Sequence, residues 1–73
     1  MAELETNLAR AERHVREGMR RVERQANLVV RLAMKGRLRE AKEAQKLLAM
    51  LQKSLQLAQE QLRRTREAAR RKP

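Results

Sequence analysis

Cysteine, aspartate and every aromatic residue are missing from this 73-residue sequence, which holds a single proline and two glycines. Without cysteine, disulfides are excluded as a source of stability. That matters, because a lone chain of this size buries only about 60% of the surface it exposes when unfolded and usually needs a disulfide, a metal or self-association. Without Trp, Tyr or Phe there is no ring on which a nucleic-acid base can stack, and insertion into a lipid surface is poor. Long apolar stretches are missing too. The longest, Asn27 to Ala33 and Leu47 to Leu51, fall far short of the roughly 20 residues that span a bilayer, so no membrane insertion is expected. The start, Met1-Ala2-Glu3-Leu4-Glu5, is acidic and lacks the basic and apolar regions of a secretory signal, which gives a cytoplasmic expectation.

What is present is Ala, Leu, Arg, Glu, Gln, Lys and Met, all strong helix formers, while the residues that fill strands are few. An all-α protein follows, and periodicity sets its arrangement. One heptad frame reads Leu4, Leu8, Ala11, Val15, Gly18, Val22, Gln25, Val29 and Leu32, with steps alternating between about four and three residues, as a helical stripe requires. A second reads Ala41, Ala44, Leu48, Leu51, Leu55, Ala58, Leu62, Thr65 and Ala69, and only Thr65 breaks its apolar character. Carrying the first frame forward places core positions at Gly36 and Glu43, whereas the second needs Ala41 and Leu48, a jump of five residues. A continuous coiled coil absorbs insertions of about three or four. The chain therefore turns, and Met34-Lys35-Gly36-Arg37 is the place. Gly36 can take the left-handed conformation that closes a helix, and Lys35 suits the negative end of its dipole. With no Ser, Thr, Asp or Asn before the second helix, Gly36 is expected to act as its permissive cap.

The expected fold is a single helical-hairpin domain over residues 1 to 73, antiparallel and coiled-coil-like, with helices at about residues 3 to 34 and 37 to 71. Folding at Gly36 pairs residues whose numbers sum to about 72, so the two stripes face one another, with small Ala11 and Gly18 opposite leucine-rich turns. Gln25 falls on the seam and is expected to meet Gln45 or Gln52. Two helices still make a thin core. Leu47, Met50, Ser54 and Leu57 form another stripe about 110° around the second helix, where a further neighbour sits in a bundle. A weaker stripe, Met19, Ala26, Val30 and Ala33, points to the opposite face of the hairpin. Leu47, Met50, Leu57, Met19 and Val30 are therefore candidates for self-association into a helical bundle, most simply a dimer.

Residues able to carry chemistry are few. Ser54, Thr6, Thr65, His14 and nine Glu offer no acid/base pair that stands out, so no catalytic residue, cofactor or small-molecule substrate is expected. Glu12 with Arg16, Glu17 with Arg20 and Arg21, and Glu60 with Arg63 and Arg64 read as ordinary surface pairs. His14 and Glu17 could supply two metal ligands, but in the reverse order of the Glu-x-x-His bundle motif. A solvent-facing or seam-edge histidine is the expectation.

The net charge is +10, from 19 Lys and Arg against nine Glu. It is uneven: residues 1 to 34 carry seven Arg and five Glu, and residues 35 to 73 carry twelve basic and four acidic side chains. Lys35, Arg37, Arg39, Lys42 and Lys46 crowd the turn. Arg63, Arg64, Arg66, Arg70, Arg71 and Lys72 crowd the end and are candidates for weak, non-specific polyanion binding through phosphate contacts. No groove-reading motif accompanies them. The expected function is a non-enzymatic, self-associating interaction module, with non-specific nucleic-acid binding as the alternative.

The pattern His14-Val15-x-x-Gly18, Val22-x-x-Gln25, Leu28-Val29-x-x-Leu32, Gly36, then Leu47-Leu48-x-x-Leu51-x-x-Ser54-Leu55-x-Leu57 resembles a group of short, uncharacterised helical proteins common in alphaproteobacteria, over about residues 14 to 63. The resemblance implies a helical hairpin only, since no activity is assigned to that group. Gly36-x-Leu38-x-Glu40-Ala41 also resembles the first helix of a tetratricopeptide unit, but one partial unit cannot form a solenoid.

Overall fold

Helix formation starts where a side chain can satisfy the first exposed backbone donors. In a computed structural model, which describes residues 5 to 71, that residue is Thr6. Its backbone is extended, its Oγ1 accepts from the Ala9 N–H at 3.0 Å, and its carbonyl accepts from Arg10. Helix α1 therefore runs Asn7–Met34, and its expected start at residue 3 is corrected, since Glu5 and Thr6 are not helical. The signal for this is Thr6 itself, a capping residue two positions before Leu8 of the apolar stripe.

The reversal falls at Gly36, as the frame jump requires. Gly36 has φ +74°, a left-handed conformation that would strain a residue with a Cβ. Its N–H donates to the Ala33 carbonyl and the Arg37 N–H to the Leu32 carbonyl, both at 3.0 Å. These two bonds form a Schellman closure that satisfies carbonyls otherwise left open at a helix end. Helix α2 follows as Leu38–Arg71. Its cap is Arg37, not Gly36, because the Arg37 carbonyl accepts the first helical bond from Ala41. An arginine side chain cannot accept a capping bond. Glu40 instead brings negative charge to the first turn, with Arg37 Nε 3.0 Å from its carboxylate.

The two helices pack side by side into a rod of 57 × 28 × 13 Å. Its radius of gyration is 16.6 Å, against about 11 Å for a compact domain of this length. Both stripes lie in the seam. Ala11, Ala41, Ala44 and Leu62 are buried, and Leu8, Val15, Val22, Val29, Leu32, Leu48, Leu51, Leu55 and Ala58 are half-buried between the helices. Gly18 meets Leu55, and a Cβ built on Gly18 would lie 3.1 Å from Leu55 Cδ1. The missing side chain is what lets the two backbones come this close.

The polar seam residues are satisfied differently from expectation. Gln25 Nε2 donates to the Ala44 carbonyl at 2.8 Å, so its hydrogen bond goes to main chain and not to Gln45 or Gln52. Ala44 has too small a side chain to shield its own carbonyl, which keeps a second lone pair after its helical bond. Thr65 returns its hydroxyl to the Gln61 carbonyl at 2.8 Å, which lets it occupy a seam position. The seam ends short of its expected last member. Ala69 is exposed, and the residues expected opposite it, near residue 3 and with Leu4, lie outside the described residues.

Candidate self-association surface

All five apolar candidates outside the seam are exposed. Met50 and Leu57 keep 68% and 66% of their surface in water, and Leu47, Met19 and Val30 about half. The structure separates them onto two faces. On the first, Ser54 of α2 shares a shallow cleft with His14, Glu17 and Arg21 of α1, floored by Gly18, Leu51, Leu55 and Ala58. Leu47 and Leu57 flank Ser54 on the same side of α2, one heptad before it and three residues after it. On the second face, Ala33 of α1 lies with Leu38, Lys42 and Gln45 of α2 over Val29 and Ala41. Met19 and Val30 belong to this side by helical spacing.

Sequence reasoning missed three exposed apolar residues, Leu28, Met34 and Leu38. Leu28 follows Arg21 by one heptad, as Leu47 precedes Ser54 by one, so it extends the first face toward the turn. Its signal is its position in the run Asn27 to Ala33, in which the seam takes Val29 and Leu32 and the opposite stripe takes Val30 and Ala33, leaving Leu28 to neither.

The cleft's one carboxylate, Glu17, is held by arginines, one of them shared with Glu5. Arg13 donates through Nε and Nη2 to both oxygens of Glu5, at 3.0 and 2.9 Å, and through Nη1 to Glu17 at 3.0 Å. Glu17 also faces Arg21 at 3.6 Å, so its partners are Arg13 and Arg21 rather than Arg20 and Arg21. His14 is exposed beside it. No cluster of three or more metal-ligating side chains occurs among the described residues.

At the far end Arg63 donates to Glu60 and to Glu67, and Arg64 to Glu60. Arg66 reaches across the hairpin to Glu12 at 3.8 Å. Glu12 thus pairs with the other helix rather than with Arg16, because it stands at the edge of the seam where Arg66 extends. Three of the six basic candidates spend charge inside the molecule. Arg70 and Arg71 are exposed and form no ion pair with a described residue, and Lys72 lies outside those residues.

These pairs tune titration. The Arg13 guanidinium hydrogen-bonds Glu5 and Glu17 and holds both carboxyls below their ordinary 4.5, while Arg63 does the same for Glu60. A carboxyl more acidic in the folded than in the unfolded chain stabilises the fold above its unfolded pKa and loses that contribution as pH falls. Thermal melting at fixed salt and protein concentration should be flat from neutral pH down to about 4.5 and decline below it. A melting temperature unchanged between pH 6 and pH 3 would show that the pairs contribute nothing.

No family model, curated protein or solved structure matches the chain. Among the described residues, no helix is long and apolar enough to cross a membrane.

Proposed function

We propose that this protein is a non-enzymatic interaction module that works by self-association, most simply as a dimer whose two hairpins close into a four-helix bundle. One observation carries the reading. The chain exposes 6500 Å², whereas a folded monomer of its mass exposes about 4700 Å². No described residue is wholly buried, and the core is three alanines and one leucine. The excess of about 1800 Å² is larger than the roughly 600 to 1,000 Å² that each partner contributes to a stable protein interface. Exposed leucines and methionines on two faces supply the apolar surface such a contact needs.

An enzymatic reading draws little support. The cleft that brings His14 near Ser54 is open, and the carboxylate beside them, Glu17, is held by two arginines. Polyanion binding is weakened as a first reading because Arg63, Arg64 and Arg66 are already paired with glutamates.

Sedimentation equilibrium on the purified chain at tens of micromolar should return a dimer or higher species. A single species of monomer mass at high micromolar concentration overturns the proposal.

A further inference from the structure

The outer surface of α2 carries a charge pattern that is complementary to itself when reversed. Residues seven apart return to nearly the same side of a helix, slipping by about 20°. One such row on α2 is Glu43, Met50, Leu57, Arg64, which lies immediately outside Leu47 and Ser54 on the first face. Read in one direction it is acid, apolar, apolar, base, and read backwards it is base, apolar, apolar, acid. The next row outward behaves alike: Arg39 and Lys46 occupy its first half, and Glu60 and Glu67 its second.

From this juxtaposition we infer that the partner of this face is a second copy of the chain, docked with its α2 antiparallel to the first about a two-fold axis near Lys53 and Ser54. This rests on the self-association proposed above and specifies its geometry. In that arrangement opposite residues have numbers summing to about 107. Met50 then covers Leu57 of the other copy, Glu43 faces Arg64, Lys46 faces Glu60, and Arg39 faces Glu67, each pair occurring twice by symmetry. Among the charged residues of these two rows only Lys53 meets its own copy, and its long stem lets the ammonium swing outward. A parallel two-fold pairing centred on the Glu43 row stacks Glu43 on Glu43 and Arg64 on Arg64, which is repulsive, and carries the charges of the outer row to opposite sides of the contact. The apolar component is substantial, since Met50 and Leu57 are two-thirds exposed in the single chain.

The charges chiefly select the orientation. Glu43 already lies 3.3 Å from Lys46, and Arg64 3.2 Å from Glu60, within their own helix. Complementary charges around an apolar contact fix its register and exclude wrong pairings more than they add affinity. Ser54 lies close to the axis, so the cleft it shares with His14 and Arg21 borders the contact.

Charge reversal tests the geometry. Sedimentation at fixed concentration and low salt should show that Glu43→Arg and Arg64→Glu each raise the dimer dissociation constant by about tenfold or more. The double variant E43R/R64E should return to near the wild-type value, and an equimolar mixture of the two single variants should form a heterodimer, because both of its charge contacts are then opposite in sign. The chain has no cysteine, so Ser54→Cys introduces a unique thiol. Under mild oxidation it should link two chains far more readily than Gln56→Cys, which lies on the other side of α2. A dimeric wild type whose association ignores both reversals, or in which the two thiols link equally, overturns the antiparallel α2 contact and leaves self-association standing. A monomeric wild type overturns both.

Discussion

Replacing Leu47 and Leu57 together with glutamate should convert the assembled protein to monomers. The two residues sit on the same side of α2 and are exposed in the single hairpin, so the substitutions leave the seam alone. Burying a leucine side chain contributes about 1.5 to 3 kcal/mol, and a symmetric dimer loses each of the two twice. The dissociation constant should rise by about a thousandfold or more. The melting temperature at fixed concentration should fall with it, because association and stability are linked by mass action. Met19→Glu with Val30→Glu is the informative comparison, since these residues lie on the opposite face. If that pair dissociates the protein and the Leu47 and Leu57 pair does not, the second face makes the contact.

Gly18→Val should clearly destabilise the hairpin. An added Cβ already meets Leu55 Cδ1 at 3.1 Å, and the two methyl groups of valine must push the helices apart at the middle of the rod. Overpacking of this kind costs about 1 to 3 kcal/mol. Alanine is a different case. Its methyl presses on the flexible end of Leu55, and leaving glycine recovers up to about 1 kcal/mol of helix propensity. Guanidinium unfolding at a single protein concentration should place G18A near wild type and G18V clearly below it. Equal midpoints for wild type and G18V would mean that the close approach at Gly18 does not hold the helices in register.

The contrast between these two positions shows how much could be read in advance. Leu47 and Leu57 were legible as a second apolar stripe, because helical spacing alone puts them on one side of α2. Gly18 was legible as a small seam residue opposite a leucine-rich turn. Partners across the hairpin were harder. Gln25 was assigned a glutamine and takes the Ala44 carbonyl, and Glu12 was assigned Arg16 and takes Arg66. A side chain's choice among several partners within reach depends on shifts of an ångström in the axial offset of two helices, and a repeat of three and four residues does not encode such shifts.

The sequence by itself determined the helices, the point of reversal and the seam. Each is written in short-range terms: propensity residue by residue, apolar spacing within two turns, and one glycine able to adopt φ +74°. Tertiary structure alone decided which partners Gln25 and Glu12 take across the hairpin and how much apolar surface the paired helices leave in water. The physical reason is that pairing across the hairpin and burial depend on where the rest of the chain lies, and that is fixed only when both helices are placed together.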